Sequence, residues 1–397
     1  MCFNCKIFIN YIKYSMLEIN TRIIFGNKKF SLIKENLANL NFKKSLVFCD
    51  INLYNNSKYV RTQIEKIKKS KKSLQFYDYP FEPSYEYIDY LLELIKKKGI
   101  NKTNIDSIIA IGGGSAIDAA KALAILFTND RPSLSLRGFP KNIKKPIPLI
   151  AVPSTAGTGT EVVYNAPLID LKTKIKLGIN SKENYPVLAI LDPLIVSSAP
   201  FKVYSSTGCD TLVHTLESFV SVKSNYYTRQ FSMIAYKLIS ENFKKILLNK
   251  ASLNNWLNMQ WAAVYAIIAL SNTTSGPAGA LSYYLGCNYN VNHGIAGGAF
   301  IGKISEVNFQ KGYYDYSLLY NNSNKSINSK KKKSEMIIKE INFILKLAKI
   351  PKSLDSFNVD NEDKINDFLN FCKTRKKSFG FNPVKITRQD LIKKILI

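Results

Sequence analysis

Histidine is nearly absent, with two in 397 residues. No site in this chain can therefore draw on more than two imidazoles. Acidic residues are also few, 29 against 56 Lys and Arg, which leaves a formal net charge of +27. Such an excess suits nucleic acid when it is gathered on one face. Here the basic residues are spread through the chain among many Asn and Ile. The densest run, Lys330 to Lys333, follows the Asn/Ser-rich stretch Asn321 to Ser329 and reads as a solvated loop. No nucleic-acid partner is expected. No apolar run reaches the roughly 18 residues of a membrane span, and Met1 to Met16 lacks the apolar core and small-residue cleavage site of a secretory signal. Met16 is an alternative start. Six cysteines in so long a chain fit a reducing compartment, and a cytoplasmic location is expected. Cys2 and Cys5 form a CxxC pair, but no second pair stands nearby to complete a zinc site.

What is present is organised around IIAIGGGSAIDAAKALA, Ile108 to Ala124. The apolar run Ile108 to Ile111 reads as a buried strand, three glycines as a turn, and Ser115 to Ala124 as a helix. A glycine turn lets backbone N–H groups approach a pyrophosphate, and the positive end of the following helix adds to the attraction. GGGS followed by Asp118 and Lys121 is not the GxGxxG fingerprint, so a plain turn is the other reading of this stretch alone. Around it, strands and helices alternate. Ser45 to Asp50 reads as a strand that ends in a carboxylate able to bind ribose hydroxyls and to repel a ribose phosphate. Val60 to Ser73 and Tyr85 to Lys98 read as helices, and Leu74 to Tyr79, Pro148 to Val152, Lys176 to Ile179 and Leu188 to Leu191 as strands. Directly after one of these strands, PSTAGTGTEV offers Ser154, Thr155 and Thr158 as a second backbone-and-hydroxyl surface, suited to phosphate or the edge of a nicotinamide.

After Pro200 long helical patterns replace strand signals, which sets a boundary between an α/β domain, 1–200, and an all-helical domain, 201–397. In STGCDTLVHTLESFVS, Asp210 and His214 stand four apart and project from one helix face. That is good geometry for two ligands of one divalent metal, and a surface pair is the alternative. His293 stands in a loop-like NVNHG.

In this order the motifs resemble those of the iron-containing, or group III, alcohol dehydrogenases, relatives of glycerol dehydrogenase and dehydroquinate synthase. The likeness runs from about Met16 to the closing NPVKITRQDLIKKIL. It implies an N-terminal Rossmann-like α/β dinucleotide-binding domain followed by an all-α, dehydroquinate synthase-like C-terminal domain. It also implies a cofactor site at Asp50, Gly113, Gly114, Ser115, Asp118, Ser154, Thr155, Thr158 and Lys176, and metal ligands at Asp210, His214 and His293. Members with a metal typically use one aspartate and three histidines, which this composition forbids. The resemblance puts Gly279 where the missing ligand belongs, Tyr283 where a further active-site histidine lies, and Glu82 where an asparagine contacts cofactor. The implied activity is an NAD-dependent alcohol dehydrogenase or aldehyde reductase with an incomplete iron or zinc site, acting on small alcohols or aldehydes as a homo-oligomer. Tyr283 is the first candidate for a proton donor should no metal bind. A dinucleotide-binding homologue that has lost the chemistry is the alternative, as is a lyase of the dehydroquinate synthase type.

Overall fold

Parallel strands covered on both faces by helices must be apolar on both faces, and four strands of this chain are. The computed structural model describes residues 18–68, 73–77, 82–320 and 327–396, so Cys2, Cys5 and Met16 lie outside the described residues. The chain divides into two compact units.

The first unit, Asn20–Tyr204 with Ser252–Gln260, holds a six-stranded parallel sheet. Its strands are β1 (Arg22–Phe25), β2 (Ser45–Asp50), β3 (Ser73–Tyr77), β4 (Ser107–Gly112), β5 (Leu149–Pro153) and β10 (Leu188–Leu191), in the order β1-β10-β5-β4-β2-β3. Alternate residues feed two cores. Leu46, Phe48, Ile108, Ala110, Leu149 and Ala151 pack with the helices α4 (Tyr85–Lys97) and α5 (Gly114–Leu126). Val47, Cys49, Ile109, Ile111, Ile150 and Val152 pack against α1 (Ile33–Asn39) and α3 (Lys58–Lys68). From β2 the chain moves outward to β3, then crosses back over β2 to β4 and continues the other way. That reversal makes a topological switch point, where the carboxyl ends of β2 and β4 diverge and leave a crevice. Two small antiparallel ladders complete the unit, β6 (Asn165–Ala166) with β9 (Ile179–Asn180) and β7 (Ile169–Asp170) with β8 (Ile175–Lys176). Lys176 to Ile179 is thus not one strand. Between its two halves Gly178 passes so close to the Ala166 carbonyl that a Cβ there would overlap it, and the ladder breaks.

Among the described residues no strand follows Leu191. The second unit comprises Ser205–Ala251 and Trp261–Ile397. Its long helices are α6 (Phe201–Val220, entering at Ser205), α7 (Tyr226–Leu247), the latter part of α8 (Leu253–Ser271), α9 (Pro277–Tyr289), α10 (His293–Gln310), α11 (Lys330–Leu347) and α12 (Glu362–Thr374). Lys330 to Lys333 is solvent-facing but is not a loop. Ser329 caps Lys332, and the apolar residues Ile337, Ile341 and Ile344 are buried below, so packing holds a helix whose first turn is basic. No helix among the described residues is long and apolar enough to cross a membrane.

One packing contact sets up a site. On α10, Gly294, Gly297 and Gly298 face Ser206, Val213 and Cys209 of α6. The absence of side chains lets the two helices meet closely. A Cβ at Gly294 would overlap the Ser206 carbonyl oxygen, whereas one at Gly298 would meet Ile350 Cγ1 at 3.3 Å and Cys209 Cβ at 3.4 Å. Gly294→Ala should therefore destabilise the protein by roughly 1–3 kcal/mol and lower its Tm well below that of Gly298→Ala. Equal melting temperatures for the two variants in a thermal scan would show that the helices do not meet this way.

Candidate functional site

Asp50 ends β2, and Gly112 ends β4. At the switch point they are neighbours, since a Cβ on Gly112 would lie 3.2 Å from Asp50 Cβ. The Asp50 Oδ1 accepts from Asn52 N at 2.8 Å and Leu53 N at 3.1 Å, so the carboxylate also caps the short helix α2 (Ile51–Asn56). Gly113 precedes α5 without any side-chain cap, and the first N–H groups of a helix have no partner within it. The loop after β5 lies across this turn. Ser154 N donates to Gly112 O at 2.8 Å. A Cβ on Gly113 would be 3.5 Å from Thr155 Cγ2, and one on Gly114 only 2.6 Å from Thr158 Cγ2 and 2.9 Å from its Oγ1. Asp50, Gly113, Gly114, Ser115, Ser154, Thr155 and Thr158 are thus gathered at one crevice. Its uncapped helix N-terminus and hydroxyls fit a pyrophosphate.

Asp118 and Lys176 stand differently. Asp118 is buried one turn into α5, and its Oδ1 accepts from the Thr160 hydroxyl and lies 3.6 Å from Lys121 Nζ. Lys176 is paired with Glu82 at 2.5 Å. Lys121 and Glu161 complete a buried polar cluster to which sequence reasoning assigned no role. The available signal was a lysine inside an otherwise apolar helix. Burial is the largest influence on each group. It raises Asp118 to about 6 and Glu161 to about 7, and lowers Lys121 to about 8.

In the helical unit, Asp210 and His214 lie one turn apart on α6. His293 is the first residue of α10, not part of a loop, because Asn292 accepts from Gly294 N and starts the helix there. His214 Nε2 stands 3.6 Å and His293 Nε2 3.9 Å from Asp210 Oδ1. That oxygen is buried and has no hydrogen-bond partner. Ser282 was missed in the sequence. Its hydroxyl donates to Gly279 O at 2.7 Å and stands 3.0 Å from Nδ1 and 3.5 Å from Nε2 of His293, so it can serve as acceptor for a ring N–H, with the better geometry at Nδ1. Tyr283 stacks on this imidazole, with centroids 5.0 Å apart. Among the described residues no group of three or more His, Cys, Asp or Glu is arranged, as it stands, to hold a metal ion. Each imidazole by itself lies at a separation from Asp210 Oδ1 that two donors can span when each is about 2.0–2.2 Å from one ion. An orphaned carboxylate oxygen facing imidazole nitrogens fits a cation.

Gly279 and its surroundings are filled. The buried Glu217 carboxylate accepts from Ser275 Oγ at 2.9 Å, Gly276 N at 2.8 Å and Gly279 N at 3.0 Å. Burial raises its pKa, and these donors oppose the rise. A Cβ on Gly279 would overlap Ser275 Oγ and stand 3.0 Å from Glu217 Oε2.

The profile of the iron-containing alcohol dehydrogenases matches residues 20–193, and that of the C-terminal region of the Fe-containing alcohol dehydrogenase family matches residues 204–396. The chain belongs to the iron-containing alcohol dehydrogenase family. The 4-hydroxybutyrate dehydrogenase of Clostridium kluyveri is 36% identical over 233 residues, 58% of this chain and 61% of that enzyme, so the match spans less than two thirds of it. Alcohol dehydrogenase 4 of Saccharomyces cerevisiae is 25% identical over 374 residues, 93% of this chain and 94% of that family member. Among solved structures, an alcohol dehydrogenase from Oenococcus oeni superposes with a TM-score of 0.84 at 26% identity, covering 96% of this chain and 98% of that one.

The cluster around Lys121 makes stability pH-dependent. Glu161 titrates near 7 when folded against an ordinary 4.5, so the folded state holds the extra proton between those values. Its stabilising contribution is complete below about pH 4.5 and is lost as pH rises through 7. Glu161→Gln removes that loss. The variant should gain on the order of 1–3 kcal/mol relative to the parent between pH 4.5 and pH 8, read as a difference in Tm that widens with pH. A difference that stays constant or narrows would place Glu161 in water.

Proposed function

We propose that the chain is an NAD(H)-dependent alcohol dehydrogenase or aldehyde reductase that works with a divalent ion on three protein ligands, Asp210, His214 and His293. The observation that carries this reading is Asp210 Oδ1, buried without a hydrogen bond between two imidazoles. When bound, a divalent cation polarises a carbonyl and stabilises the developing alkoxide, while a nicotinamide gives or takes the hydride. The chain's own residues do the rest. Gly113 and Gly114 admit the pyrophosphate to the start of α5, and the carboxylate of Asp50 opposes a ribose 2'-phosphate, which favours NAD(H) over NADP(H). Ser282, accepting from Nδ1–H of His293, turns the Nε2 lone pair to the ion, and Tyr283 limits the tilt of the ring. Three protein ligands leave room for a substrate oxygen. The relatives whose names specify 4-hydroxybutyrate or 1,3-propanediol point to small alcohols and their aldehydes.

The test is NADH oxidation by the purified, metal-analysed protein over a series of small aldehydes. A protein that binds NADH but carries no metal and reduces none of them would be the dinucleotide-binding homologue without chemistry.

Gly114→Val meets Thr158 at once, since even a Cβ there is 2.6 Å from Thr158 Cγ2. The variant should bind NADH at least tenfold more weakly while remaining folded by circular dichroism. Unchanged affinity would remove this turn from the cofactor site.

At the metal, Gly279→His does not restore a fourth ligand by itself. Its Cβ displaces the Ser275 hydroxyl from the buried Glu217, which then loses a donor. We expect Gly279→His to lower Tm without raising metal retention against a chelator, and Gly279→His/Ser275→Ala to hold metal more tightly than the parent. His214→Ala should lose the metal altogether by elemental analysis. A single Gly279→His that gains metal at no cost in Tm would refute this view of the filled position.

A further inference from the structure

Helix α5 is made of Ala, Ile and Leu and is buried along its length, yet it carries two charged residues one turn apart, Asp118 and Lys121. Burying an ammonium is costly unless it is paired and hydrogen-bonded, and an apolar residue would fill the same space. The ammonium of Lys121 is wholly inaccessible to water. It donates to Thr160 Oγ1 at 2.5 Å and to the carbonyl of Asn165 at 2.9 Å, and it lies 3.6 Å from Asp118 Oδ1. The Thr160 hydroxyl in turn donates a hydrogen bond to that same Asp118 oxygen. Glu161 is the other acid whose charge acts on Lys121, and Lys176 and Glu82 act on Asp118.

The bonds of Lys121 and Asp118 to Thr160 join the glycine-turn helix to the loop that follows β5, and the bond to Asn165 O reaches β6 just beyond that loop. The connection continues outward, since Thr160 N donates to Thr158 Oγ1 at 3.3 Å, and Thr158 is the residue that stands against Gly114. We propose that Lys121, with Asp118, is a positioning residue that clamps the 154–163 loop to α5 and so holds Thr158 against Gly114, fixing the loop beside the helix N-terminus at which the dinucleotide pyrophosphate binds. Asp118 then serves the site from behind and does not touch the cofactor. Its hydrogen-bond donor Thr160 and its ion-pair partner Lys121 both lie within the cluster. The proposal rests on the cofactor reading given above.

The test uses the full chain with Lys121→Met, with Lys121→Met/Asp118→Asn, which leaves no unpaired aspartate beside the lost ammonium, and with Thr160→Val, which cuts the link while leaving both charges. NADH affinity, KM for NADH, kcat, Tm and hydrogen exchange of residues 154–163 are measured on each. The clamp predicts at least tenfold weaker NADH binding in Lys121→Met, a rise in KM for NADH with kcat changed less than threefold, and faster exchange in the loop. In the double variant Tm should recover while NADH affinity and loop exchange do not, a separation that a purely structural lysine would not produce. Recovery of affinity together with Tm overturns the proposal, as do unchanged affinity and exchange in a folded Lys121→Met. Where Lys121→Met does not fold, Thr160→Val decides on the same two readouts. A parent protein that fails to bind NADH defeats the cofactor reading, and loop exchange then decides the clamp alone: faster exchange in the double variant upholds it as a device of the loop, and unchanged exchange overturns it.

Discussion

At Gly114 a Cβ would lie 2.6 Å from Thr158, and at Gly294 it would run into the carbonyl oxygen of Ser206. In each unit a glycine lets backbone come closer than any side chain would permit, and a candidate site follows from that approach. In the α/β unit the approach brings the loop after β5 across the start of α5, at the end of the sheet where β2 and β4 diverge. In the helical unit it lays the first turn of α10 on α6, so that His293 at the head of one helix arrives beside Asp210 and His214 on the other. The ligands and loops are ordinary residues. Their convergence is set by places that exclude a Cβ.

The sequence makes local features legible and non-local ones illegible. Ser45 to Asp50 and Leu188 to Leu191 read as strands because each is an apolar run between polar punctuation, and both are strands with those bounds. Ser115 to Ala124 reads as a helix for equally local reasons. The crossing back over β2 that creates the switch point depends on strand order, which no window of sequence contains. His293 was misplaced because Asn290, Asn292 and Gly294 look like a turn. Asparagine at an N-cap uses the same side-chain chemistry to begin a helix as it uses to make a turn. Lys330 to Lys333 was misplaced because a basic first turn opposes the helix dipole, and the buried isoleucines that outweigh it come later in the chain. Ser282 carried no signal at all, since its role exists only once α9 and α10 pair.

Two buried charges show different ways of meeting the same cost. Glu217 is held chiefly by neutral donors, two backbone N–H groups and a serine hydroxyl from the turn that leads into α9 and its first residues. Lys121 is held by acceptors and by opposite charge, with Asp118 and Glu161 near enough to oppose its desolvation. A carboxylate satisfied by neutral donors stabilises one local turn. An ammonium shared between a helix and a distant loop ties two elements of different sequence origin, so its loss is felt wherever that loop is used. That difference makes Lys121 the better candidate for a role in the site.

The departure at Gly279 belongs with Glu217. A histidine at that position would need the volume now taken by the Ser275 hydroxyl, which is fixed there by its bond to Glu217 Oε2. The Ser275–Glu217 contact and a side chain at position 279 therefore exclude one another. The same carboxylate also binds Gly276 N and Gly279 N, so the start of α9 is anchored without a metal. Ser282, one turn after Gly279, donates to the Gly279 carbonyl and stands 3.0 Å from Nδ1 of His293. The backbone of Gly279 thus reaches His293 through one hydroxyl, so the segment that anchors Glu217 also orients the imidazole beside Asp210.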